Sequence, residues 1–403
     1  MTVRVNKSSF NIREKLSELG RKFGLKGSEL AAAETVQEAR ELVSAGRKNL
    51  IINGDMQVAQ RVAYPSTQPG ASYSNYYTVD RWRFNVQDTQ FGTWTFSQSN
   101  TVPSGKGFAY SWKWDCTTAD TSLDSGHYGI AEYRIEAQDL QHLEYGTSSA
   151  KPVTISFWVK TNKTGTYVFS IFSEDGNRYV SKTYTVNQAN TWEYKTITFE
   201  GDTSGTINND TGDGFRLWWW LGAGSSFTSG TMQPGVWRSF SSAQSSTAAD
   251  LNVNMADSTS NEWFITGVQM EVGRNATEFE HRSYGEELAL CQRYYQKIVN
   301  SSGNASRTVM LGGYNNTRAF GGLPLSVPLR TSTIAFSYNN LVIELINLSN
   351  SFSVTSIGRY GAMGEGGAFM GIEANASSGI TGGTIYYLTF QGTGSYLALD
   401  AEL

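Results

Sequence analysis

Residues 263–298, WFITGVQMEVGRNATEFEHRSYGEELALCQRYYQKI, decide how this chain is divided. The stretch opens on alternation, with Phe264, Val268 and Met270 on one face, which predicts a half-buried strand. Gly273 to Arg282 reads as a polar turn. Ser283 then offers an N-cap and Glu286 the residue that reaches back to it, a capping box. Leu288, Cys291, Tyr295 and Ile298 follow on one face at helical spacing, so a linking helix is expected over residues 283–298. A strand closes one domain here and a short helix leads into the next.

Outward from that stretch the composition is that of β architecture. The 403 residues hold 13% aromatics and 41 Gly but only 7 Pro, a pattern of many short strands and turns. The expected fold is mainly β: a short α-helical N-terminal segment, a large jelly-roll β-sandwich, the linking helix, and a small C-terminal β-sandwich. Residues 49–282 supply the jelly roll. Val153, Ile155, Phe157 and Val159 share one face of a strand, with Thr154, Ser156, Trp158 and Lys160 opposite. Tyr167 to Phe172, Trp192 to Phe199 and Arg216 to Leu221 are further strands bounded by Gly, Asn or Asp. No period of 20 to 50 residues recurs, which argues against a propeller or solenoid. Residues 299–403 repeat the β pattern at smaller scale: Ile334, Phe336 and Tyr338 alternate, Ile385 and Tyr387 alternate against Tyr386, Leu388 and Phe390, and Tyr396 to Leu403 forms a last strand.

Residues 1–48 stand apart. Ten Lys or Arg against six Glu make this segment +4, which leaves −8 for the remainder of a chain whose net charge is −4. Ser9 to Leu19 and Ser28 to Ser44 read as short helices, too poor in apolar surface to fold alone. Leu16, Leu19, Phe23, Leu25 and Leu30 are costly to leave in water. The reading is a segment that orders against a partner and anchors the chain to it.

Several chemistries find no footing. Charged residues are only 17%, so no global field favours nucleic acid. No run approaches the ~18 apolar residues of a membrane-spanning helix, and the first residues lack the apolar core of a secretory signal, so synthesis and folding in the cytosol are expected. Cys116 and Cys291 read as separate buried thiols. With His127, His142 and His281 they show no zinc spacing. There is no GxSxG elbow, and Gly105-Lys106-Gly107 lacks a phosphate-loop frame. Glu278, Glu280, Glu286 and Glu287 read as turn and capping residues rather than a glycosidase pair. The chain is read as a non-enzyme.

Two binding readings stay open. In the hexamer Arg216-Leu217-Trp218-Trp219-Trp220-Leu221, alternation aims Leu217, Trp219 and Leu221 one way and Arg216, Trp218 and Trp220 the other. The second face either presents two indoles and a guanidinium to a glycan, whose C–H faces stack on indole, or is buried under a loop or a subunit. Trp82, Trp94, Trp112 and Trp114 pose the same choice and read as core. Asn53-Gly54-Asp55 is either an Asx-type turn or, through Asn53 and Asp55, a structural Ca²⁺ site. No other cofactor is expected.

Residues 47–61, RKNLIINGDMQVAQR, with 77–82, YTVDRW, resemble the start of a module common in tail-fibre and appendage proteins of bacteriophages. Residues 265–273, ITGVQMEVG, then 276–280, ATEFE, and the Ser283-Tyr284 to Tyr295 helix resemble its other end. Asn49 to Asp55 is also similar to carbohydrate-binding modules attached to cellulases. Met1 to Lys7 and Leu399 to Leu403 resemble virion proteins of marine and cyanobacterial phages. The resemblance implies a carbohydrate-binding-module-like jelly roll in a virion fibre, assembled in the host cytoplasm. A homotrimer is implied, joined to other virion proteins through residues 1–48. The distal part would face host surface polysaccharide, and no nucleic-acid partner or membrane insertion is implied. A tail fibre that contributes to host attachment is the first expectation; a capsid-decorating fibre or a free carbohydrate-binding module are the alternatives.

Overall fold

In this computed structural model, residues 48–61, 67–69, 75–86, 91–361 and 369–403 are described. The expected N-terminal helices, with Leu16, Leu19, Phe23, Leu25 and Leu30, lie outside the described residues. Asn49–Leu403 form one unit, distinct from Met1–Lys48.

The first part of that unit is a two-sheet sandwich. Its strands are β1 (Thr67–Pro69), β2 (Trp82–Val86), β3 (Thr93–Ser99), β4 (Ser111–Thr118), β5 (Tyr128–Glu136), β6 (Val153–Thr161), β7 (Gly165–Ser173), β8 (Arg178–Val186), β9 (Glu193–Phe199), β10 (Asp213–Ala223), β11 (Arg238–Ser239) and β12 (Glu262–Val272). One sheet runs β1-β3-β4-β12-β6-β9 and the other β11-β8-β7-β10-β5-β2, with every pairing antiparallel. The chain crosses between sheets repeatedly, and β12 returns last to lie between β4 and β6. This is the jelly-roll arrangement that the alternating strands predict.

Alternation puts one side of each sheet into the core. Val153, Ile155, Phe157 and Val159 of β6 point inward, and Trp158 and Lys160 point out. Trp82, Trp94, Trp112, Trp114, Trp219 and Trp263 are wholly buried between the sheets. Trp112 meets Trp114 at 4.9 Å and 76°, the edge-to-face geometry that aromatic quadrupoles prefer. Cys116 and Cys291 are both buried and unbridged.

β12 departs from strict alternation. Its pairing with β6 shifts register between Thr266 and Gln269, where Gly267 takes φ 61°. This bulge inserts an extra residue. Trp263 and Ile265 face the core before it, and Val268 and Met270 after it. Phe264 is therefore on the opposite face from Val268 and Met270, not on theirs as simple period-2 reading has it.

The linking helix spans Tyr284–Gln292, and the Ser283 hydroxyl oxygen accepts from Glu286 N–H at 3.3 Å. It stops earlier than expected. Tyr295 and Ile298 lie instead in a strand, β13 (Tyr295–Val299), paired along its length with the last strand. Tyr, Ile and Val suit a pleated ladder better than a helix surface, and a partner strand is present to satisfy their backbone.

The C-terminal strands are β14 (Ser306–Gly313), β15 (Arg318–Pro324), β16 (Ala335–Asn339), β17 (Leu341–Leu345), β18 (Ser351–Ser353), β19 (Ser356–Arg359), β20 (Phe369–Asn375), β21 (Ile385–Phe390) and β22 (Tyr396–Asp400). A three-stranded sheet, β13-β22-β16, packs on a seven-stranded one, β18-β17-β21-β14-β15-β20-β19. Leu397 and Leu399 meet Tyr386, Leu388 and Phe390 in the core between them.

Candidate functional site

The aromatic hexamer is β10, and its alternation holds. Leu217, Trp219 and Leu221 enter the sandwich core. The expectation that Arg216, Trp218 and Trp220 face a glycan is corrected, because their side is also covered. Phe227, Met232, Ala243 and Ala248 close over Trp218 and Trp220, which are 6% and 1% exposed. Trp218 Nε1 donates to Glu132 Oε2 at 2.8 Å, and Trp220 Nε1 donates to Ser170 Oγ at 2.9 Å. Phe172 stacks on Trp218 at 5.0 Å. Covering two indoles and satisfying both N–H groups outweighs leaving them wet. Arg216 pairs with Asp213 at 2.8 Å and Glu174 at 3.0 Å, and is tied to the sheet.

Asn53 and Asp55 are also committed to the fold. Asn53 adopts φ 58°; its Oδ1 accepts from Val58 N–H at 2.9 Å and its Nδ2 donates to Val58 O and Asp80 O at 2.8 and 2.9 Å. The amide oxygen that a Ca²⁺ would need already serves the backbone. Asp55 is buried and accepts from Gln57 Nε2; burial pushes its carboxyl above the usual range although Gln57 opposes it. The turn is closed by the backbone, Met56 N–H donating to Asn53 O at 3.2 Å, and the Asn53 side chain ties it to Val58 and Asp80 rather than forming the two-residue bond of an Asx turn. Among the described residues no three His, Cys, Asp or Glu side chains are grouped to hold a metal ion.

The stretches that carry the resemblance knot together. Asn49 Nδ2 donates to Val268 O, and Leu50 N–H donates to Met270 O. Arg282 Nη1 reaches Ile51 O at 3.0 Å. Arg61 pairs with Asp80 at 3.5 Å and Asp400 at 3.1 Å, with its guanidinium 3.9 Å from the Tyr295 ring centre. Arg293 holds Glu136 through two bonds of 3.1 and 3.0 Å. These residues join the jelly roll to the linking helix and the C-terminal strands. Their charges are engaged with one another, which makes them a structural joint.

The open surface lies on the outer face of the sheet containing β6, β9 and β12. Trp158 and Tyr194 stand opposite each other on β6 and β9, rings 5.3 Å apart at 45°. Tyr194 is 44% exposed. Beside them Phe264, on the outer side of β12 ahead of the bulge, is only 4% exposed, and Trp192 meets it edge-on at 6.2 Å. Lys160 and Lys113 flank Phe264, each Nζ 5.2 and 5.7 Å from the ring centre, and Lys106 lies 5.5 Å from the Trp158 ring. Burial presses the Lys113 ammonium down, but bonds to Glu262 at 2.5 Å and Asp115 at 3.4 Å outweigh it and keep it charged.

Aromatic faces set beside fixed ammonium and carboxylate groups can stack on the apolar side of a sugar ring and hydrogen-bond its hydroxyls. Sequence reading did not single out this surface. Its one visible signal was Trp158, an indole on the polar side of an alternating strand. Phe264 was hidden by the bulge, and Tyr194 became its neighbour only through the β6–β9 register.

No family model matches the sequence, and no curated protein matches it. Solved structures similar to it include the enzymatically active domain of bacteriophage CBA120 tailspike protein 4, at 14% identity and TM-score 0.30. That match covers 56% of this chain and only 21% of the tailspike. A carbohydrate-binding module in complex with β-1,4-galactotriose matches at 12% identity and TM-score 0.26, covering 57% of this chain and 100% of the module. The family 11 carbohydrate-binding module of a Clostridium thermocellum cellulosomal cellulase matches at 13% and 0.24, covering 55% and 100%.

Proposed function

We propose that this chain is a non-catalytic phage virion fibre protein that contributes to host-cell attachment, and that its jelly roll holds a host-surface glycan on the Trp158–Tyr194 surface. The observation that carries the glycan part is the outward Trp158–Tyr194 pair with Lys106 over the Trp158 ring, beside Phe264 with Lys113 and Lys160 over it. The fibre part rests on the resemblance of residues 47–61, 77–82 and 265–295 to phage appendage modules. In this reading residues 1–48 attach the chain to the particle and copies of the chain assemble as a homotrimer.

Two experiments test it. Affinity electrophoresis of the full chain in gels of host envelope polysaccharide should show retardation that Trp158→Ala and Tyr194→Ala abolish. Equal retardation of both variants would remove the surface from the reading. Deleting residues 1–48 should leave folded protein that no longer joins virions, and normal incorporation would sink the anchoring role.

A further inference from the structure

The polar groups around the Trp158–Tyr194 pair are one-sided. Lys113 on β4 and Lys160 on β6 stand opposite Phe264 in the two strand registers. Lys160 follows Trp158 by two residues, which puts both on the same face about 6.7 Å apart. Lys106 comes from the turn before β4, its Nζ over the Trp158 ring at 5.5 Å from the centre. Lys113 is held by Glu262 and Asp115. Among the described residues, neither Lys106 nor Lys160 has a carboxylate within ion-pair distance; each meets only a ring. The carboxylates that share the face are engaged. Glu262 and Asp115 take Lys113, and Glu271 takes the Thr277 hydroxyl and the Gln269 amide. Two uncompensated ammonium groups therefore stand beside the aromatic pair, in a chain that carries −8 over residues 49–403.

We infer that this surface takes an acidic polysaccharide, one whose sugar rings carry a singly charged carboxylate or sulfate ester. The inference deepens the proposed glycan surface and rests on it. What a ring stacked on Trp158 must displace decides its charge. Tyr194 already packs against the indole at 5.3 Å, and Lys106 lies over it. A neutral ring that covered the indole would push the Lys106 ammonium off the π face and return only hydroxyls for the lost cation–π contact. An anionic ring gives the displaced ammonium a charged acceptor, and the next ring along the strand gives one to Lys160. An ammonium only donates and is strongly hydrated, so exchanging its water for a sugar hydroxyl gains little. Both ammonium groups reach solvent, and charges at such a surface are screened over about 8 Å at physiological ionic strength. The charge-dependent part of binding must therefore fall with added salt.

The test is affinity electrophoresis of the full chain in gels of polygalacturonate, of carrageenan, and of polygalacturonate reduced at its carboxyl groups, which is the same polymer without charge. A chain of net charge −4 is repelled by a polyanion, so retardation there reports a local site. Retardation is expected in a charged gel, weaker in the reduced one and weaker still as sodium chloride is added. The charged gel that retards more tells carboxylate from sulfate. Joint substitution Lys106→Gln and Lys160→Gln should cut retention in that gel about three- to tenfold with the melting temperature unchanged. Trp158→Ala should abolish it. Equal retention in charged and reduced gels overturns the acidic class and leaves the glycan surface standing. Full retention after the double lysine substitution overturns the site and moves the binding to the basic residues 1–48. Retention in neither charged gel also overturns the inference: if host envelope polysaccharide still retards the chain, the inference falls alone, and if it does not, the glycan reading falls with it.

Discussion

The Arg81 guanidinium lies 3.4 Å from the centre of the Tyr294 ring. It also pairs with Glu402, next to the last residue, and donates to Arg134 O at 2.7 Å. Arg81 is wholly buried and holds φ 74°, a left-handed backbone that is strained for any side chain with a Cβ. The strain persists because three distant parts of the chain grip the side chain: Arg134 of β5, Tyr294 two residues past the linking helix, and Glu402 at the C-terminal end.

Glu402→Gln should therefore destabilise strongly. It leaves Arg81 buried without its carboxylate and takes one partner from Arg61, which lies 3.4 Å away. Breaking a buried pair from one side costs about 3–5 kcal/mol, and urea unfolding at neutral pH should show a loss of that order.

Glu132 and Asp80 should give stability opposing slopes with pH. Burial alone pushes the Glu132 carboxyl up, but Arg134 and Arg83 together outweigh it and hold it at about 2, against 4.5 when free. Its contribution is present above 4.5 and disappears as pH falls towards about 2. It is worth roughly 3 kcal/mol at about 1.4 per unit. Burial lifts Asp80 from 3.8 to about 6 despite Arg61, so its contribution declines as pH rises through that window. Denaturant unfolding of wild type and Glu132→Gln should show a stability gap that narrows steadily from pH 5 to pH 3. A constant gap would contradict the assignment.

The tryptophans should separate into two classes. Trp158→Ala should abolish glycan retention and barely change the melting temperature, because its ring is half-buried on an outer face. Trp218→Ala should cost about 3–5 kcal/mol as a core truncation and removes one of the two donors, Trp218 Nε1 and Asn85 Nδ2, that hold Glu132 Oε2. Binding and calorimetry on the two variants check the division.

Gly54→Ala should damage the jelly roll. A Cβ there would run into the Val268 carbonyl, and Val268 N–H already donates to Gly54 O at 2.9 Å. The backbones of the opening turn and β12 touch where only hydrogen fits. Reduced soluble yield and a lower melting temperature are expected, whereas Gly322→Ala, in open space, should change neither.

The sequence by itself determined the strand-rich architecture, because alternation along β6, β10 and β21 states which side chains are apolar on one face. It determined the cap at Ser283 and the turn at Asn53-Gly54-Asp55, whose chemistry is local. It also offered both fates for Trp218 and Trp220, buried or sugar-facing, without choosing between them. Only the tertiary structure chose. Residues 227–248 lie close along the chain to β10, yet nothing in their composition says they fold back across it. The bulge at Gly267 reversed the facing of Phe264, and the β6–β9 register brought Tyr194 to Trp158. The joint of Arg61, Asp80, Arg81, Tyr294 and Glu402 gathers residues more than 300 positions apart. Period and propensity describe what neighbours in the chain prefer. Which distant surfaces meet depends on the free energy of burying them together, and that sum exists only in the folded chain.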